Sequence, residues 1–302
     1  MIMTFNVKFA LLAFSLLAME CSVVAQSKRR EVYDSTLVGD RITPAVSSVM
    51  MPKTYTEVIV NSSMVSTNSY FDANRDKLGA NFRSTSSITT LQMTHGISSS
   101  GRFNVGLDLS YRIRRMDGDP GSSPFKVFST DNDNLIDYER AFTSVGIRAR
   151  YVPTRNRNFV IQQAFVVPIA SSAEGQFLGD NRYALNNQFL YTQLLGRKFF
   201  LFGQLDVLIR FKQDENNSDY TVPLNILASY LLNNHIFPFV QLGMINVWGE
   251  DLIDPGQSFS YGFGLQYQFN TMFNINAFYS DAFSGKNIYQ FSTLNLGVRV
   301  VF

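Results

Sequence analysis

Between Arg102 and Arg115 the chain alternates without a fault. Phe103, Val105, Leu107, Leu109, Tyr111 and Ile113 are apolar, while Asn104, Gly106, Asp108, Ser110, Arg112 and Arg114 between them are polar or small. A period of two belongs to a strand with one apolar and one polar face. The run exceeds the roughly 5 or 6 residues usual in soluble sheets and reaches the about 9 to 11 that a tilted strand needs to cross a bilayer. In hydrocarbon every backbone N–H and C=O must be satisfied inside the protein, so one crossing strand cannot exist alone and a closed barrel is required. The stretch therefore predicts an all-β, antiparallel up-and-down transmembrane barrel in a bacterial outer membrane, and it demands more strands of the same kind.

The same pattern predicts them at Thr54–Asn68, Ser84–Ile97, Arg102–Arg115, Tyr138–Val152, Phe159–Ala170, Asn186–Leu195, Phe199–Lys212, Tyr220–Leu232, Phe237–Trp248, Ser258–Phe269, Met272–Ser280 and Phe291–Phe302, about twelve in all. In the tenth, Phe259, Tyr261, Phe263, Leu265, Tyr267 and Phe269 oppose Ser260, Gly262, Gly264, Gln266 and Gln268. The connections sort by length. Ser98–Gly101, Thr154–Asn158, Gly196–Lys198, Asn233–Ile236 and Asn270–Thr271, after even strands, are short. Ser69–Arg83, Met116–Asp137, Ser171–Leu185, Gln213–Asp219, Gly249–Gln257 and Asp281–Gln290, after odd strands, are longer. Outer-membrane barrels alternate short periplasmic turns with longer extracellular loops, and an even strand count leaves both termini in the periplasm. Tyr111, Tyr151, Phe159, Phe199, Phe211, Tyr230, Phe237, Phe269, Phe273 and Phe302 fall near predicted interfaces on the outward face, where amphipathic rings settle at headgroup depth.

Composition agrees with apolar residues facing outward and polar ones facing a lumen. Aromatic content is 14% against 17% charged residues, and mean hydropathy is near zero. A net charge of +2, with no basic run beyond Lys28-Arg29-Arg30, gives no footprint for nucleic acid. Residues 1–25 read as a secretory signal: Lys8 supplies the positive region, Phe9 to Met19 the short apolar one, and Val23-Val24-Ala25 the cleavage site. Cleavage there removes Cys21, the only cysteine, and with it disulfide, thiol and cysteine-based metal chemistry. Residues 26–53, without a clean period, form a periplasmic lead-in or a segment tucked into the lumen, and residues 54–302 form the barrel.

The last strand carries a resemblance. Leu294, Leu296, Val298, Val300 and Phe302 alternate up to a terminal aromatic, with Gly297-Val298-Arg299-Val300-Val301-Phe302 embedded in them. This resembles the carboxy-terminal signal by which the assembly machinery recognises outer-membrane barrels, with Gly297, Val300 and Phe302 in the signal positions; Leu296 stands where that signal usually has a polar residue. The overall form resembles twelve-stranded porin-like barrels and is similar to the transporters of the phenol meta-degradation family. That likeness implies a channel in contact with outer-membrane lipids and a small-molecule solute.

Alternation also assigns the lumen. Arg112, Arg114, Arg140, Arg210 and Lys212 are expected inward near the extracellular mouth, where a ring of cations would favour anionic or polar solutes, or would neutralise acidic loops or surface lipid phosphates. Asp108 and Asp206 are expected along the wall. Glu57 in the first strand and Arg299 in the last are expected to pair across the seam. Inward Gly106, Gly146, Gly262, Gly264 and Gly297 would leave a narrow bore open. Asp131-Asn132-Asp133-Asn134 lacks the glycine and further ligands of a calcium loop, so no metal and no cofactor is expected. His95 and His235, the only histidines, fall toward the periplasmic end, and no G-x-S-x-G elbow occurs, which argues against a barrel hydrolase. The alternatives to a channel are a structural or adhesive barrel presenting its loops and, with less support, that hydrolase.

Overall fold

The alternating stretches become twelve strands: β1 (Thr56–Phe71), β2 (Lys77–Gly96), β3 (Phe103–Asp117), β4 (Leu135–Tyr151), β5 (Phe159–Pro168), β6 (Ala184–Leu195), β7 (Phe199–Arg210), β8 (Asp219–Tyr230), β9 (Ile236–Gly249), β10 (Gly256–Gln268), β11 (Phe273–Lys286) and β12 (Ile288–Val301). This computed structural model describes residues 49–302 apart from 132, 155–156, 172–176, 179–180, 197, 213–217 and 250–254. The expected signal sequence, Cys21 and most of the lead-in lie outside the described residues. Each strand pairs antiparallel with its sequence neighbours, and β1 pairs with β12 from Glu57↔Val301 to Phe71↔Ile288, so the sheet closes on itself. Closure removes the two unpaired edges that hydrocarbon does not tolerate. At the end carrying the termini, the backbones of Thr56 and Phe302 exchange hydrogen bonds of 2.8 and 2.9 Å.

The outer wall is apolar over a continuous belt. Leu107, Ile147, Val240, Leu242, Phe263 and Leu296 are each at least half exposed. A soluble protein does not present such a surface to water, whereas a bilayer covers it at no cost.

The connections after β1 and β11 depart furthest from the expected alternation of lengths. Strands β1 and β2 run on until only residues 72–76 join them, and Asn287 alone, in a left-handed backbone conformation (φ 51°), joins β11 to β12. The turn after β1 is tight because Asp72 Oδ1 accepts hydrogen bonds from the backbone N–H groups of Asn74 and Asp76. Ser69, Tyr70 and Phe71 pair with β2 on one side and β12 on the other. Beyond the lipid belt a strand no longer needs an apolar outward face, so pairing continues through sequence that does not alternate.

Alternation itself breaks once in a way that matters. In the β3–β4 ladder Ser110 faces Ser144 and Tyr111 faces Phe142, which leaves Thr143 as an unpaired bulge residue. An extra residue reverses the facing of everything before it. Arg140 therefore pairs with outward Ile113 and is exposed on the outer wall, not in the lumen where strict alternation places it.

Candidate functional site

The lumen is built in layers, starting at the end that holds the termini. Val152, Val160, Leu190, Phe202, Leu227 and Phe239 form a buried cluster, with Met50 and Phe278 packed against it. Pairing places these residues on the inward face: Phe202 opposes Leu227 across β7–β8, and Phe239 opposes Gly264 across β9–β10. The bore is thus narrowed by an apolar layer whose members run from the end of β4 round to β9, with Phe278 on β11 packed against them. Two of the inward glycines face aromatic rings. A Cβ at Gly264 would stand 2.4 Å from the Phe239 ring, and one at Gly262 would stand 2.6 Å from the Phe278 ring, so the space they release is taken by aromatic rings. Those two rings stack at 5.8 Å between centroids. Phe237, expected on the outer aromatic belt, also points inward, opposite Gln266, and is buried.

The end of the lead-in lies against the same layer. Met51 N–H donates to Asn104 Oδ1 at 2.9 Å and Asn104 Nδ2 returns a bond of 2.8 Å to the Met51 carbonyl. Gly96, on the inward face beside them, is needed as glycine because a Cβ there would come within 1.9 Å of the Pro52 carbonyl oxygen.

Directly above the apolar layer runs a connected set of polar side chains. Glu57 on β1 is fully buried and accepts from Arg299 Nε on β12 at 2.6 Å and from Arg150 Nη1 on β4 at 3.0 Å. The first contact crosses the seam and the second bridges the lumen, because β1 and β4 are not neighbours in the sheet. The set continues from Arg150 to Gln162, from Gln162 to Gln188, and from Gln188 Nε2 to Asp206 Oδ2 at 3.1 Å, where Gln204 also donates at 2.8 Å. On β3, Asp108 accepts from Arg148 Nε at 3.2 Å. A buried carboxylate needs such partners, since an unpaired charge in a low-dielectric interior costs several kcal/mol.

At the opposite end the mouth is narrowed by the β5–β6 connection. Arg112 Nη1 donates to the Leu178 carbonyl, and Arg114 Nη1 donates to the Phe177 carbonyl with its guanidinium 4.9 Å from the Phe177 ring centroid. Both arginines face inward, so Phe177 and Leu178 lie in the mouth, where Leu178 is buried. The further part of that connection is tied by Arg182 to Asp219, which also takes Arg210 Nη1 at 2.8 Å. Lys212 lies just past the end of β7 and is exposed.

Of the expected site residues, the structure brings Glu57 and Arg299 into direct contact and sets Asp206 within the same polar set. Arg112 and Arg114 stand together at the mouth, Arg210 neutralises Asp219, and Arg140 is elsewhere. Gly297 sits where a Cβ would meet Asn61 and Asn276 at 2.6 Å, Val300 pairs with Phe273, and Phe302 is exposed at the rim. His95 Nδ1 lies 2.9 Å from Thr56 Oγ1, and His235 Nδ1 lies 2.7 Å from the Gln268 carbonyl. Sequence reasoning missed Arg148 and Arg150, which alternation in β4 would have placed inward. It also missed the apolar layer, whose signal is the loss of alternation in Phe199-Phe200-Leu201-Phe202 and Ile236-Phe237-Pro238-Phe239-Val240.

Residues 67–298 match the family described as "Putative MetA-pathway of phenol degradation". No curated protein matches the sequence. Among solved structures, an outer membrane channel from Pseudomonas putida F1 superposes with a TM-score of 0.66 at 14% identity, over 87% of this chain and 100% of that one. The β-domain of the Bordetella autotransporter BrkA superposes with a TM-score of 0.57 at 16% identity, over 83% and 100%.

Proposed function

The chain belongs to the MetA-pathway phenol-degradation family, and on that premise we propose that it is an outer-membrane channel through which small solutes diffuse down their gradient. The observation that carries the reading is the layering of the lumen: a solute crossing the barrel passes a hydrogen-bonding ring and then an apolar constriction. A polar ring replaces part of a solute's hydration and an apolar layer penalises whatever hydration is left. The arrangement therefore favours small, moderately apolar solutes over strongly hydrated ones of equal size. Charge preference is weaker than a ring of five cations would give, because Arg140 faces outward and Arg210 is paired with Asp219. Arg112 and Arg114, inward at the mouth and held to the Leu178 and Phe177 carbonyls, are the residues at which a preference for anions is tested.

Swelling of liposomes containing the refolded chain tests the reading with an isosteric pair of zwitterions, valine and threonine. Valine is expected to enter faster. Equal rates would remove the role of the apolar layer, and entry of neither would remove the channel. The second outcome would favour a barrel that presents surface structure, a reading supported by the pairing of β2, β1 and β12 out to Lys77, Phe71 and Ile288.

A further inference from the structure

Residues 118–131 of the β3–β4 connection do not fold over the mouth; they lie against the outside of the wall. Ser66, Thr85, Arg115 and Asp117 all fall on the outward face by register, with Thr85 paired to Ser66 and to Arg115, yet all four are buried. What covers them is the segment 118–131. Its beginning is held by Arg83, whose Nε and Nη2 donate to the Pro120 carbonyl at 3.1 and 2.8 Å, and by Asn68 Nδ2, which reaches the same oxygen at 3.2 Å. Its far part is held by Arg115, fully buried against Asp117 at 2.8 Å and donating from Nη1 to the Ser129 carbonyl at 2.9 Å. Between these anchors Pro124–Phe128 forms one short 3-10 turn, capped by Ser123. Val127 on this turn is fully buried, whereas Phe125 and Phe128 are 61% and 59% exposed.

The height of the turn follows from the strand beneath it. The outward apolar positions of β3 run from Phe103 to Ile113, which at about 3.3 Å per residue and a tilt of roughly 40° spans about 25 Å, the height of the lipid-facing band of such barrels. Arg115 is the next outward residue, so the segment it anchors begins where the band ends. Below it the wall carries the Tyr111–Phe142 ring pair, with centroids 5.1 Å apart, and exposed Arg140. Large apolar side chains held on a pinned backbone at that level are continuous with a surface already covered by lipid.

We propose that the segment 118–131 is an interfacial lipid anchor, with Phe125 and Phe128 inserted among the headgroups and upper chains of the leaflet at the loop end. Aromatic rings at this depth bury apolar area while their surroundings stay wet. Arg140, on the wall below, reaches headgroup phosphate by extending its stem along the apolar surface. The anchor ties the barrel's vertical position to one side of the wall, that of β1 to β4, independently of what passes through the lumen.

Phe125→Trp and Phe128→Trp, each made in a Trp248→Phe chain so that the new indole is the only one, test this in vesicles of phosphatidylethanolamine and phosphatidylglycerol. The expected result is blue-shifted emission that is lost on adding lipid brominated near the headgroup, is less affected by bromine at the chain end, and resists aqueous acrylamide. Emission quenched by acrylamide and not by brominated lipid would overturn the proposal, as would protection from both, which would mean that protein covers the turn. A bimane label at Phe128→Cys in a Cys21→Ser chain gives the same readout should either tryptophan variant fail to fold.

Discussion

Glu57 shows how much one side chain holds. It is fully buried and accepts from Arg299 on the neighbouring β12 and from Arg150 on β4, so removing its charge takes a buried anion away from both guanidinium groups. Breaking a buried pair from one side costs about 3–5 kcal/mol. Glu57→Ala is expected to destabilise the barrel by that order, read as a lower urea midpoint for the band that resists unheated detergent electrophoresis; an unchanged midpoint would mean that water reaches the site. The exchange Glu57→Arg with Arg299→Glu is expected not to restore stability, because the new arginine would face Arg150. Gly264 is the converse case, where an added side chain does harm. Gly264→Val pushes methyl groups into the Phe239 ring, an overpacking that costs about 1–3 kcal/mol, and the paired change Phe239→Ala is expected to recover part of the loss in a double-mutant cycle. The seam pair was legible in the sequence because β12 alternates cleanly and turns Arg299 inward, while Glu57 stands out as the one charged residue of β1 despite the apolar run Val58-Ile59-Val60. Arg150's share in it was not, since contact across a lumen depends on which strands face each other and not on period.

At the level of elements, the alternation of β3, β10 and β12 was enough to place their residues on the correct face. It failed where its physical cause was absent or interrupted. Above the lipid belt β1 and β2 no longer have to turn an apolar face outward, so residues 77–83 looked like a loop and are strand. In β4 the bulge at Thr143 reversed the facing of Arg140, and no local feature of the sequence marks that residue as the inserted one. In β9 both faces are apolar near the terminal end, so period alone had no means of turning Phe237 and Phe239 inward. The bulge makes a direct prediction. A nitroxide attached at Arg140→Cys is expected to be relaxed more by oxygen, which concentrates in lipid, than by a water-soluble nickel complex. Deleting Thr143 restores strict alternation and is expected to reverse that order in whatever fraction still folds; no reversal would mean that the register adjusts elsewhere.

The whole molecule is a closed wall, a charged mouth narrowed by Phe177 and Leu178, a polar ring and an apolar layer. Twelve strands enclose too little space to remain an open aqueous pore once inward aromatic rings fill the room left by glycines. Conduction should then be limited by the apolar layer and tuned by the mouth. Changing Arg112 and Arg114 to Gln is expected to move the reversal potential in a salt gradient toward cation preference while leaving conductance of the same order, because the two arginines set the field and not the bore. Whether the apolar layer limits conduction is read from single-channel recording of the refolded chain beside Phe202→Ala/Phe239→Ala. Small, infrequent conductance steps are expected for the unaltered chain and clearly larger ones for the double variant; equal steps in both, or silence in both from barrels shown to be folded, would rule out a channel limited by that layer.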